Sequence, residues 1–247
     1  MIKYRRALVA QMDRVSDSDS EGCGFDPCRA RHDFEVLMKT ILFDLDDTLI
    51  ESIYVWENAI TRLFEKLGID MDFERGKKTF LTMRFSEVLV YIRKYFAAKM
   101  SIEEMNEFCM SYIVEEYKKN VPQKEGALEF IQQCAQKGIQ MAVVTSNHLS
   151  LTSSVLERLG MRPYIYKIYS AEALHLTKRE PEIYEMALKE MNADVSETLI
   201  FEDSMYAIQT ATSLGIRCIG LLTEYNQKEF EENHVESIQN FKVLLEN

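Results

Sequence analysis

Four short segments of this chain carry carboxylates, hydroxyls and a lysine of types that can act on an anionic group together. Asp44-Leu45-Asp46-Asp47-Thr48 is the first. If the chain leaves a strand still extended there, Asp44 and Asp46 point to the same side, because strand side chains alternate. Two carboxylates held close repel, and one takes up a proton unless a cation intervenes. That arrangement suits magnesium, a hard ion that prefers oxygen ligands. Thr145-Ser146-Asn147 offers hydroxyls and an amide that can donate to anionic oxygens. Lys178 supplies a fixed positive charge, and Glu202-Asp203-Ser204 adds two acids. Each segment alone has a plain structural reading. Asp-x-Asp is common in loops, and a lone lysine is ordinarily solvated. Thr-Ser-Asn and Glu-Asp-Ser are ordinary helix starts, where side chains cap and compensate the dipole. Their weight depends on whether the fold brings them together.

The elements read from the sequence do so. Ile41–Leu45 is a short apolar run, read as a buried strand that ends in polar turn residues. From Ser52 to about Lys119 no strand pattern appears. Helical patterns cover Ile53–Leu67, a segment near Phe73–Met83, Phe85–Ala98 and Ser101–Lys119. Gly68 ends the first, and Ser101 with Glu104 is a capping box that starts the last. After Pro122 helix and strand alternate. Helices are expected at Gly126–Lys137, Leu149–Leu159, Pro181–Met191 and Ser204–Leu214, with strands at Gln140–Thr145, Thr198–Phe201 and Ile216–Leu221. Tyr164–Tyr169 is rich in β-formers. Strand–helix alternation implies a parallel sheet covered by helices on both faces. In such a sheet the carboxyl ends of the strands converge on one crevice, where ligands bind. All four segments stand at or after those ends.

Bulk composition narrows the classes. The chain has 247 residues, 47% hydrophobic and 28% charged, which fits a large α/β domain with a smaller insert. The net charge of -11 argues against nucleic acid as a partner, since nothing in bulk attracts a phosphate backbone. A small anion remains compatible, because a metal and local cations reverse the field inside one site. No apolar run reaches the roughly 20 residues of a membrane helix, and no signal peptide is expected. Five cysteines without zinc spacing read as reduced thiols of a cytoplasmic protein. Residues 1–37 are polar and rich in breakers, and are expected to be a flexible extension. Residues 38–51 and 120–247 then form the α/β core, with 52–119 as a helical insert. The stretch after Glu224 reads as a polar loop and terminal helix.

Over about residues 38–223 the chain resembles the haloacid dehalogenase superfamily, in its phosphatase and β-phosphoglucomutase-like branch. Asp44-Leu-Asp-Asp-Thr-Leu resembles the first motif of that family, and Val143-Val-Thr-Ser-Asn the second. Lys178-Arg-Glu-Pro-Glu-Ile-Tyr resembles the third and Phe201-Glu-Asp-Ser the fourth. The helical run 52–119 is similar to the family's cap of the first insertion type. The resemblance implies a Rossmann-like three-layer parallel sheet of strand order 3-2-1-4-5 with an inserted α-helical cap. It also implies roles. Asp44 is the expected nucleophile, forming an aspartyl-phosphate, and Asp46 the general acid and base. Mg2+ is expected on Asp44, the backbone carbonyl of Asp46, Asp203 and Glu202. Thr145, Ser146, Asn147 and Lys178 are the expected phosphate-binding residues.

Three departures stand out. Asp47 is where the family often has Gly, Ala207 is where Gly is common, and Arg179-Glu180 separates Lys178 from Pro181. The implied activity is a Mg-dependent phosphatase acting on a small phosphorylated metabolite, such as a sugar phosphate or nucleotide. Three alternatives fit the residues less well. A dehalogenase would lack the second acid, yet Asp46 is present. A β-phosphoglucomutase-type mutase usually carries a His in the first cap helix, where this chain has Trp56 and no His between His32 and His148. A non-catalytic binding protein on this fold would tend to lose an acid or the lysine. Among the basic residues of the insert, Arg84 is the expected substrate contact, because it falls at a break between helices.

Overall fold

A computed structural model describes residues 38–70, 80, 83, 85–96 and 98–245. The expected extension 1–37, most of the segment near Phe73–Met83, and Arg84 lie outside the described residues.

The first strand, β1 (Thr40–Phe43), is buried along its whole length. It is followed by α1 (Ile53–Leu67), α2 (Phe85–Tyr95) and α3 (Ile102–Lys119) before the next strand begins. Then come α4 (Ala127–Gln136), β2 (Gln140–Thr145), α5 (Leu149–Arg158), β3 (Ile168–Ser170), the short α6 (Ala171–Leu174) and α7 (Glu182–Glu190). The chain closes with β4 (Thr198–Glu202), α8 (Met205–Ser213), β5 (Arg217–Leu221), α9 (Gln227–Glu232) and β6 (Ser237–Ile238). The sheet order is β3-β2-β1-β4-β5-β6, with every pairing parallel. This is the expected 3-2-1-4-5 order with one further edge strand.

Alternation along the central strands builds both layers. Ile41, Phe43, Met141, Val143, Leu199 and Phe201 face one apolar cluster. Leu42, Ala142, Val144 and Ile200 face the other, against Ile183, Tyr184 and Ala187 of α7. Both faces are therefore dry, which is why the strands read as unbroken apolar runs. The first cluster continues without a gap into the helical insert through Val55, Ile60, Met105 and Ile113. The capping box at Ser101 is formed: its side chain accepts from Glu104 N, and Glu104 returns the bond to Ser101 N.

The C-terminal segment corrects the expectation of a polar loop and terminal helix. It supplies α9, then β6 paired to β5, then a 3-10 turn that buries Phe241 and Leu244. Phe241 packs with Phe43, Phe130 and Phe201 beneath the sheet. Gly126, at φ 79°, is what lets this tail approach α4: a Cβ there would lie 2.7 Å from Lys242 N. The signal was weak because an edge strand of two residues leaves almost no period to read. No helix among the described residues is long and apolar enough to cross a membrane.

Candidate active site

Register brings the expected segments together. Phe43 pairs with Val143 on one side and Phe201 on the other, so β1, β2 and β4 end at one level. Asp44 leaves β1 with its N–H donating to Phe201 O (2.9 Å). Lys178 reaches in from the loop before α7. Its Nζ donates to Asp44 Oδ1 at 2.6 Å and Glu202 Oε2 at 2.7 Å, with all three side chains at most 5% exposed. Burial alone would lower the lysine pKa, but Asp44 and Glu202 outweigh it and hold the ammonium well above its ordinary value. Lys178 therefore stays charged, whatever the spacing of Arg179-Glu180 before Pro181. The other Glu202 oxygen, Oε1, accepts from Ser204 N (3.1 Å). Asp203 is held at its backbone by Asn226, whose Nδ2 donates to Asp203 O (2.8 Å).

Asp46 is set differently. Its carboxylate turns toward the insert, away from Lys178. Oδ1 accepts from Ser52 Oγ (2.7 Å) and, in a short bond, from the Tyr117 hydroxyl. Oδ2 accepts from Asn147 Nδ2 (3.0 Å). Burial first, and then the Asp44 charge, raise the Asp46 pKa, while these three donors pull it back. Tyr117 is itself fully buried, and burial followed by the Asp46 charge keeps its phenol protonated.

Asp47 explains one departure. It sits at φ 58°, in the left-handed region that glycine enters freely and Asp tolerates. Its Oδ1 accepts from the backbone N–H groups of Ser52 (3.0 Å) and Ile53 (3.1 Å), the orphan donors at the start of α1. Ser52 itself makes no side-chain cap to that helix. Asp47 thus anchors the root of the insert instead of adding a ligand to the site.

Of the expected phosphate-binding residues, Thr145 is fully buried, its Oγ1 accepting from Asn147 N (3.0 Å). Ser146 is exposed and lines the cleft. Asn147 uses its amide N–H on Asp46 and the Tyr117 hydroxyl (3.1 Å), so it serves the acid before any ligand. The cleft, about 580 Å³, lies between the core and the insert. Asp46, Ser146, Arg179 and Tyr206 line its floor, with Trp56 and Phe85 above.

The acids fit a hard cation. Carboxylate oxygens of Asp44, Glu202 and Asp203 lie within 4.8 Å of one another. Burial, Asp44 and Glu202 together drive the Asp203 pKa well above the carboxylate range, and burial with Asp44 raises Glu202. One lysine does not neutralise the cluster. An all-oxygen set with surplus negative charge is the donor chemistry of magnesium or calcium, not of zinc.

Residues 41–221 match the family model described as haloacid dehalogenase-like hydrolase. The chain belongs to that family. It is 29% identical over 199 residues to validoxylamine A 7'-phosphate phosphatase of Streptomyces hygroscopicus subsp. limoneus, covering 81% of this chain and 92% of that one. It is 25% identical to the phosphorylated carbohydrates phosphatase of Thermotoga maritima, covering 76% and 88%. Among solved structures, CbbY of Rhodobacter sphaeroides in complex with phosphate aligns with a TM-score of 0.71 at 23% identity, covering 83% and 95%. A putative β-phosphoglucomutase of Thermotoga maritima aligns at 0.72 and 22%, covering 84% and 97%. These two share the fold. The family model is that of a hydrolase, and both curated relatives named above are phosphatases.

Two of its site residues were not singled out from sequence. Ser52 reads as a helix start, and Tyr117 lies in Ser111-Tyr-Ile-Val-Glu-Glu-Tyr, where it reads as one more core position of α3. A tyrosine on an apolar helix face needs a partner for its hydroxyl when buried. That rule alone flags Tyr117.

Proposed function

We propose that the protein is a magnesium-dependent phosphatase that hydrolyses a small phosphorylated metabolite through an aspartyl-phosphate on Asp44. The observation that carries the reading is the contrast between Asp44, salt-bridged to Lys178 at the strand end, and Asp46, held by neutral donors at the cleft. An ionised carboxylate is a nucleophile, and one with a raised pKa can deliver a proton.

In this reading an Asp44 oxygen bonds to phosphorus and the bond to the leaving oxygen breaks. Asp46 passes its proton to that oxygen. Water then loses a proton to Asp46 and attacks the aspartyl-phosphate, releasing phosphate and restoring Asp44. Thr145 and Ser146 bind non-bridging oxygens, and Lys178 keeps Asp44 aimed and shares the phosphate charge. Asp44, Asp203 and the backbone carbonyl of Asp46 would hold Mg2+, with Glu202, whose oxygens already have partners, in support. The ion supplies positive charge that offsets repulsion between the nucleophile and the phosphate. The insert 52–119 acts as the cap over the leaving group, on a core of 38–51 and 120–247. Named relatives that act on a 7'-phosphate and on phosphorylated carbohydrates support a phosphorylated carbohydrate as the substrate class. Trp56, where a mutase usually has its histidine, supports water as the acceptor.

The test is release of 4-nitrophenol from its phosphate ester by the full chain, with magnesium or with chelator. Magnesium-dependent release, lost by about 10³-fold or more in Asp44→Asn, is expected for a covalent nucleophile. Equal release by Asp44→Asn would end the reading.

A further inference from the structure

Tyr117 has a feature that ordinary core packing does not require. A phenol carries one donor proton and two acceptor lone pairs. Trp56 Nε1 donates to the Tyr117 hydroxyl at 2.9 Å, and Asn147 Nδ2 donates to it at 3.1 Å. With those two donors on its oxygen, the hydroxyl directs its proton to Asp46 Oδ1, the same oxygen that accepts from the neighbouring Ser52 Oγ. Together with Asn147 on Oδ2, these bonds fix the rotation of the Asp46 carboxylate.

The location adds to this. Tyr117 sits in the last turn of α3, where the insert returns to the core. Arg158 of α5 pins that turn, its Nε donating to Tyr117 O at 3.1 Å and its Nη2 making a short bond to Val121 O. Trp56 and Ser52 stand at the other root of the insert, which Asp47 anchors. Asp46 is therefore gripped from both crossings between core and insert, through Ser52 on one side and Tyr117 on the other. Trp56 packs edge-on to Tyr117 and bridges the two roots.

We infer that Tyr117, supported by Trp56, is a positioning residue for the hydrolytic reaction: it holds the Asp46 carboxylate in the orientation that faces the leaving group. This rests on the phosphatase reading above. Tyr117 does not touch the leaving group; it acts through Asp46, and Trp56 acts through Tyr117.

The test is a double-mutant cycle on the full chain with magnesium, using phenyl phosphate, whose leaving group needs a proton, and 2,4-dinitrophenyl phosphate, whose leaving group does not. Tyr117→Phe keeps the ring and removes the bond. It is expected to lower kcat on phenyl phosphate by about tenfold or more, with KM within about twofold, since general acid–base catalysis carries factors of this order. The first turnover on the dinitrophenyl ester should fall by much less. In an Asp46→Asn background the same substitution should change either rate by less than about twofold, because residues acting as a unit are not additive. A general packing defect would lower the two substrates alike and both backgrounds alike, and that result overturns the inference. Wild-type kcat in Tyr117→Phe overturns it as well. If Tyr117→Phe does not fold, as judged by its thermal transition, Trp56→Phe runs the same cycle, with a smaller loss of about threefold on phenyl phosphate expected. If Trp56→Phe shows no loss on that ester, the inference fails. Should the wild-type chain release nothing from either ester, the phosphatase reading itself falls, which is a different outcome from an active wild type indifferent to Tyr117.

Discussion

Asp44 and Asp46 are separated by one residue and live in two unlike settings. Asp44 belongs to the strand-end cluster, where Lys178 lies 2.6 Å away and Glu202 and Asp203 crowd the same space. Asp46 belongs to the junction with the helical insert, where its partners are two hydroxyls and an amide and no cation among the bonds described. The first setting places an ammonium directly against the carboxylates. The second tolerates either protonation state, because neutral donors can serve a carboxylate and one lone pair of a carboxylic acid alike. Two acids of one type acquire two chemistries from their neighbours alone.

The sharpest way to break this contrast is to remove the cation. Lys178→Met leaves Asp44 and Glu202 buried and facing each other. Stripping one partner from a buried ion pair costs about 3 kcal/mol or more, so a large fall in stability is expected. Chemical denaturation in chelator measures it, and aryl phosphate release should fall by about two orders of magnitude or more, the scale of losing one aimed charge.

Asp46→Asn is the matched experiment on the other side. The amide keeps an oxygen for Tyr117 and Ser52 but turns an N–H toward Asn147 Nδ2, a conflict worth about 1 kcal/mol. Against that, it removes a buried charge that Asp44 repels. The two effects oppose, so stability within about 1 kcal/mol of wild type is expected, while kcat falls by about 10²-fold or more. Equal destabilisation by Lys178→Met and Asp46→Asn in the same denaturation series would mean that the two settings do not differ.

The strand-end cluster was legible in the sequence, and the junction was not. Asp44, Thr145 and Glu202-Asp203 stand at the ends of short apolar runs, and a parallel sheet has one way to gather such ends; Lys178, in the loop before α7, was placed by the family resemblance. The alternation implied a parallel sheet and the family resemblance its order, with β6 missed for want of length. Tyr117 and Ser52 reach Asp46 only because α3 returns beside α1 and ends against α5, as the contacts of Arg158 show. That is a matter of helix packing, which periodicity restricts to a face but not to a partner. Asp47 was visible as an oddity. Its meaning needed the φ of 58° and the two N–H groups of α1 that its side chain receives.

Asp47 also gives the smallest and most specific test, because it stands on the root of the insert and is neither nucleophile nor acid. Burial raises its pKa from 3.8 to about 6, with the N–H groups of Ile53 and Ser52 opposing the rise. A carboxyl whose folded pKa is raised binds its proton more tightly in the folded state. Its contribution to stability is then full below about pH 4 and is lost as pH rises through about 6. Asp47→Asn keeps an oxygen for the two N–H groups, tolerates the left-handed backbone and carries no charge to desolvate. The variant should match wild type near pH 4 and exceed it by about 1 to 2 kcal/mol near pH 8, somewhat under the full linkage value because charge-assisted bonds to the helix are lost. Urea unfolding at both pH values in chelator reads the difference, which cancels the other acids that titrate in the same window. A gain at pH 4 as large as that at pH 8 would show that the side chain's charge is not what the junction resists. It would also remove the ground for separating the root of the insert, where backbone and neutral donors hold the acids, from the strand ends, where Lys178 pairs with Asp44 and Glu202.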